Sequence, residues 1–301
     1  MKKKFKIIIF GDLNNIICRI LTWHLLKISK KNNIQIVKLI NTGKKKDNLI
    51  LNIIEFFLIK LFNLNKINPF FNNKGIFLKL FSRLNIQYVK NINDRNFIND
   101  VRKNNYDYAF SICCSQIFKK KLISSFYRII NYHSSLLPKY KGLNSTLWSI
   151  LFREKYTGYS FHYVDGKIDN GNIILQEKFK INYDHPYKKT EIYKTLLAKD
   201  SLQKVISRVL KNYDGNKQGN NGSYYGKKEI KKLITFKKIK NIQKITKIID
   251  IWGGIVLIKE NKKYYITKVS NKGKILRISH YPVSIFKILI IIKKSKTIFG
   301  L

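Results

Sequence analysis

Two short stretches hold the side chains with the most chemistry to offer, NYHSSLLP at 131–138 and DGKIDNG at 165–171. They supply a carboxamide (Asn131), an imidazole (His133) and a carboxylate (Asp169). Brought together, these groups suit a reaction that passes through a tetrahedral intermediate with a developing oxyanion. The amide and a protonated imidazole would donate to that oxygen, and the carboxylate would favour the imidazolium and relay protons through a water. Taken singly, each has a plainer explanation. Asparagine and histidine at a strand end are commonly hydrogen-bonded turn residues, and Asp169-Asn170-Gly171 is a turn sequence whatever the function. Placement favours the chemical reading, because a strand ending Asn-Tyr-His turns residues 131 and 133 to one face just where the chain leaves the sheet.

The elements that must position these residues follow an alternation of short β-branched runs and longer helical patterns, the rhythm of βαβ units. Strands are predicted near 5–10, 34–40, 86–89, 107–112, 128–132, 158–164 and 173–181. Helices are predicted near 14–30, 49–63, 75–84, 94–104, 116–124, 144–154 and 188–211. The fold class is therefore α/β, a Rossmann-like, mainly parallel sheet flanked by helices. Right-handed crossovers would bring the strand ends near 11, 113 and 133 to one edge, where open α/β sheets bind ligands. After Tyr213 the stretch DGNKQGNNGSYYG holds four glycines, three asparagines and no aliphatic residue, so it reads as a linker or exposed loop. Beyond it lie a short helix near 241–251 and strand-like stretches. The expected organisation is a catalytic domain over 1–213, a linker over 214–227 and a small β-rich C-terminal domain over 228–301.

The chain has 301 residues, 45% of them hydrophobic, enough to bury a full core. Sixty Lys and Arg against 17 acids give a formal charge of +43, which would attract polyanions. Lys, Asn and Ile are used in loops and elements alike, so the weight falls on genomic base composition rather than on a selected binding surface. Three cysteines (Cys18, Cys113, Cys114) offer neither a disulfide framework nor zinc spacing, and a reducing, cytoplasmic setting is expected. MKKKFKIIIFG reads as a first strand rather than a signal peptide. The apolar runs at 49–64 and 285–292 are too interrupted or too short for stable membrane insertion.

NYHSSLLPKYKG followed by TGYSFHYVDGKIDNGNIILQ resembles the signature of the folate-dependent formyltransferases. The likeness rests on Asn131, His133, Ser135-Leu136-Leu137-Pro138, Gly142, Thr157-Gly158 and Asp165 through Gly171, and it is strongest over 106–181. The resemblance implies 10-formyltetrahydrofolate as formyl donor, no metal, and Asn131, His133 and Asp169 as catalytic residues. It also implies a pterin lying between Ser111–Gln116 and Asp165–Asp169, held largely by backbone groups. Ser111, Cys113, Gln116, Leu136, Pro138 and Asp165 are the cofactor-binding candidates. Cys113 and Cys114 otherwise read as small fillers, His162 as a satisfied structural histidine in a strand, His24 as a packing or surface residue of a helix, and Trp148 as helix core.

The acceptor amine is less legible. Chain length, the C-terminal appendage and abundant cations fit a methionyl-tRNA acceptor. Leu143-Asn144-Ser145-Thr146-Leu147-Trp148 departs from the run usual in tRNA enzymes, and 43–80 lacks a recognisable tRNA-contacting loop. An amino-sugar nucleotide or other small amine is the alternative acceptor, and a non-catalytic RNA-binding protein is the third reading. The tRNA acceptor is placed first because so eroded a composition suggests a reduced genome, in which translation initiation outlasts sugar decoration.

Overall fold

The computed structural model describes residues 4–29, 32–43, 84–183, 187–236, 248–249, 255–259, 262–269 and 275–280. The helices expected at 49–63 and 75–84, most of the one at 241–251 and the apolar run at 285–292 lie outside the described residues.

In chain order the elements are β1 (Phe5–Gly11), α1 (Ile16–Ser29), β2 (Ile34–Asn41), β3 (Asn85–Tyr88), α2 (Arg95–Asn104), β4 (Tyr108–Ile112), α3 (Lys120–Ile123) and β5 (Arg128–His133). There follow β6 (Lys141–Gly142), α4 (Ser145–Leu151), β7 (Tyr156–Tyr163), β8 (Ile173–Lys180), α5 (Tyr187–Leu210), β9 (Tyr224–Tyr225) and α6 (Lys227–Ile234). Last come β10 (Thr235–Phe236), β11 (Ile255–Lys259), β12 (Lys262–Val269) and β13 (Ile275–His280). Two compact units divide the chain: residues 1–133, 159–176 and 195–218 form one, and 134–158, 177–194 and 219–301 the other.

A seven-stranded sheet in the order β3-β2-β1-β4-β5-β7-β8 confirms the α/β expectation. It is parallel from β3 to β5, and β7 joins β5 antiparallel. The unbroken apolar run of β1 reflects burial on both faces. Ile7 and Ile9 enter one core with Leu21 and Leu25 of α1 and Leu202 and Val205 of α5. Ile8 and Phe10 enter the other with Phe97 and Val101 of α2, Phe118, Leu122 and Phe126. Phe10 meets Phe97, Phe118 and Phe126 edge-on, an arrangement favoured by the ring quadrupoles. Asp94 caps α2 by accepting from the backbone N–H groups of Asn96 and Phe97.

Gly11 ends β1 opposite Ile112, and Ile112 lies opposite Tyr132, so the strand ends near 11, 113 and 133 share one edge as expected. Gly11 is needed there, because a Cβ would sit 2.4 Å from Cys18 Sγ and 2.6 Å from the Ile112 carbonyl oxygen. The helix expected at 116–124 is shortened to Lys120–Ile123. Gln116 is held instead by bonds from its side chain to Val89 O and from Ile92 N, and Ser115 Oγ donates to Thr42 O.

In the second unit β6 pairs with β9, and Trp148, Tyr140 and Ile230 form a small core. Its β-rich part is a four-stranded sheet in the order β10-β11-β12-β13. The stretch read as a linker is tied down within each unit. Asn216 bridges to Ile173 in the first, and Ser223 Oγ accepts from Tyr140 N in the second.

Candidate active site

Asn131 lies on β5 between Ser111 of β4 and His162 of β7, directly paired with both. Two residues on, His133 ends β5 opposite Ser160. Side chains of paired residues project to the same face of a sheet, so this register brings Asn131 and His162 together.

The third member arrives on the turn after β7. Asp169 occupies the left-handed region at φ 47°, a conformation aspartate tolerates better than most residues. The loop around it is closed by several restraints. Asp165 accepts from Lys167 N at 3.0 Å and from Asn170 Nδ2 at 3.2 Å. Gly171 passes so close to β7 that a Cβ would stand 2.0 Å from Tyr163 O. From the far side Gln218 Nε2 donates to the carbonyl oxygens of Asp169 at 3.0 Å and Gly171 at 2.8 Å.

These restraints hold the Asp169 carboxylate between two imidazoles. One oxygen is 3.4 Å from His133 Nδ1 and the other 3.4 Å from His162 Nε2. Asn131 Nδ2 lies 3.3 Å from that second oxygen and 3.0 Å from His162 Nε2. Both histidines are buried, and the Asp169 side chain is only 12% exposed. The tautomer of His162 follows from its partners. Nδ1 stands 2.7 Å from the Tyr163 carbonyl oxygen, which can only accept, so Nδ1 carries the proton. In the neutral ring Nε2 then accepts from the Asn131 amide. Contacts of 3.3–3.4 Å to Asp169 are longer than optimal hydrogen bonds, and catalytic contacts are often loose before substrate binds.

The trio singled out by type and spacing is thus in one place, together with His162, which is expected to be a satisfied structural histidine and has a hydrogen-bond partner at each ring nitrogen, Tyr163 O and the Asn131 amide. Its signal lay in the register of β7 on β5. Gln218 was missed, because nothing local marks a glutamine 49 residues from the aspartate as that loop's brace.

The cofactor-binding candidates are distributed as follows. Ser111 is buried in line with Asn131. Cys113 begins the following turn with φ 53°. Gln116 directs its side chain to the backbone at Val89 and Ile92, and Asp165 directs its own into the Asp169 loop. Leu136 and Pro138 belong to the second unit, where Leu136 packs on Gly158 and Pro138 follows a cis peptide bond. Burial pushes the Cys18 thiol up to about 12 and raises that of Cys114, so neither offers a thiolate near neutrality. Among the described residues no group of three or more His, Cys, Asp or Glu is arranged to hold a metal ion. No described helix is long and apolar enough to cross a membrane.

Comparison with known proteins bears out the family resemblance. Residues 68–210 match the model of the formyl transferase family. The methionyl-tRNA formyltransferase of Finegoldia magna is 30% identical over 132 residues, 44% of this chain and 43% of that protein. That of Fusobacterium nucleatum is 29% identical over 160 residues, 53% and 48% of the two chains. The chain therefore spans less than half the length of these curated relatives. Among solved structures, a sugar N-formyltransferase from Shewanella superposes with a TM-score of 0.61 at 17% identity, covering 93% of this chain and 99% of that one. A 4-N formyltransferase from Francisella tularensis gives 0.61 at 21% identity, covering 91% and 99%. At such identities these two establish the fold alone.

Proposed function

We propose that this chain, which carries a formyl transferase domain over residues 68–210, moves a formyl group from 10-formyltetrahydrofolate to a primary amine. The carrying observation is the convergence of Asn131, His133 and Asp169 on one buried cluster.

In this reading the neutral amine attacks the formyl carbon and forms a tetrahedral intermediate. His133, with Nδ1 turned to Asp169, donates from Nε2 to the developing oxyanion, and Asp169 stabilises the imidazolium. Asn131 donates to the same oxygen, which takes the place of its 3.3 Å contact with Asp169. Asp169 also passes the proton lost by the amine, by way of water, toward the departing folate nitrogen. The products are the N-formyl amine and tetrahydrofolate. The catalytic domain is assigned to 1–213, joined by 214–227 to a C-terminal domain at 228–301, in a cytoplasmic protein.

For the acceptor, the methionyl group of initiator tRNA is the first choice. It is favoured by relatives at 29–30% identity named methionyl-tRNA formyltransferases. The second reading, an amino-sugar nucleotide, draws on fold matches that run nearly end to end with sugar N-formyltransferases. One assay separates them. The purified chain is given 10-formyltetrahydrofolate with charged initiator methionyl-tRNA, and in parallel with a panel of amino-sugar nucleotides. Formylated methionyl-tRNA is the expected product, and product from the sugars alone would overturn the first choice.

A further inference from the structure

A lysine is buried without exposure in the second unit, and its surroundings are unusually complete. Lys194 is 0% exposed. Its ammonium donates to Ser134 O at 2.8 Å, Thr146 Oγ1 at 2.6 Å and Thr157 Oγ1 at 3.0 Å, one oxygen for each N–H. Ser134 is the first residue after β5, joined by its peptide bond to His133. The same carbonyl also accepts from Ser145 Oγ at 2.9 Å, and the hydroxyls of Ser134 and Ser145 are 2.9 Å apart. Ser149 Oγ donates to Thr146 O at 2.9 Å and lies 3.3 Å from Thr157 Oγ1, so the cage is itself braced.

Such a buried cation is costly to keep, and an apolar side chain of similar volume would often serve stability as well. The cost is visible in the amine, where desolvation lowers the pKa to about 8 against a weaker opposing effect of Glu191. The oxygens around it come from the Ser134 turn, α4 and β7 and carry no charge. The ionisable neighbour acting on it is Glu191, one turn upstream on α5.

We propose that Lys194 is a positioning residue, whose charge fixes the peptide carbonyl of Ser134 and thereby the turn by which the chain leaves His133. A charge-assisted bond is about twice as strong as a neutral one, so the hold on that carbonyl weakens when the ammonium loses its proton. Lys194 touches no reacting atom in this account. Its effect on catalysis rests on the formyl-transfer reading, while its hold on the turn does not.

The test uses the full chain and Lys194→Met, which keeps the length of the side chain and removes the donor. The carbonyl ¹³C resonance of Ser134 is expected to titrate with a midpoint of about 8 in the wild type and to stay flat in the variant. In formyl transfer near pH 7, Lys194→Met is expected to show a kcat about tenfold lower, with KM for the folate donor within about threefold. The wild-type advantage should shrink toward unity as pH rises through 9.5 or so, a trend that loss of packing alone would not produce. A flat Ser134 resonance in the wild type, or a folded Lys194→Met with kcat within twofold of wild type, overturns the proposal. If the resonance titrates but the wild type formylates no acceptor, the brace stands and the reaction assignment falls.

Discussion

Around Asp169 the polar atoms of Asn131, His133 and His162 stand 3.0–3.4 Å apart, whereas the oxygens around Lys194 stand 2.6–3.0 Å from its nitrogen. The first cluster joins an acid to two imidazoles on strand ends and a tight loop. The second surrounds a single cation with neutral oxygens and fills every donor. Long contacts among groups that can change protonation are ones that a substrate oxygen can replace with little loss. Short, saturated contacts around one charge resist replacement and suit a brace. A buried polar cluster can thus be sorted by how completely its donors and acceptors are already matched.

Substitutions in the loose cluster should separate activity from stability. Replacing His133 or Asn131 with Ala is expected to lower kcat/KM for formyl transfer by about 1,000-fold, the scale of losing an oxyanion donor or a general acid, with the far-ultraviolet spectrum unchanged. Asp169→Asn keeps the shape of the loop and removes the charge beside both imidazoles. A loss of about 100-fold in kcat is expected, because the proton relay and the charge that offsets the imidazolium formed during the reaction are gone. Equal activity in Asp169→Asn would place this cluster with the braces rather than with the chemistry.

The saturated cluster should respond in the opposite sense, through stability and at alkaline pH. Lys194 has a folded-state pKa of about 8 against an ordinary 10.5, so between those values the unfolded chain binds more protons than the folded one. Its contribution therefore makes unfolding free energy rise as pH climbs from about 8 to 10.5, by at most about 3 kcal/mol, and Lys194→Met should lack that rise. Denaturant midpoints for the two proteins at pH 7.5 and pH 10 would show it as a change in their difference. The smallest effect is expected from Gln218→Ala, which frees the Asp169 and Gly171 carbonyls from their shared donor. Activity should fall by about three- to tenfold with KM for the donor little changed, measured by initial rates.

The same contrast explains what the sequence could disclose. Strand β1 was legible because Ile7–Phe10 is apolar on both faces, and α2 because the helical pattern over 94–104 follows a short β-branched run, its cap at Asp94 emerging only in the structure. Asn131 and His133 were legible because their spacing of two puts them on one face at a strand end. His162 was not, since its nearness to Asn131 depends on the antiparallel register of β7, which no local pattern encodes. The helix expected from 116 failed over its first residues because Ser115 and Gln116 bond to backbone far away in sequence. Lys194 looked like one more lysine among many. Only the fold shows that Ser134, Thr146 and Thr157 meet around it.

The most direct measurement follows tetrahydrofolate release from 10-formyltetrahydrofolate by the wild-type chain and by His133→Ala, each with and without charged initiator methionyl-tRNA or an amino-sugar nucleotide. Release that requires an acceptor amine and disappears in His133→Ala is the expected result. Acceptor-dependent release that survives in His133→Ala, or no release with either acceptor class, would contradict the assignment of the Asn131, His133 and Asp169 cluster to formyl transfer.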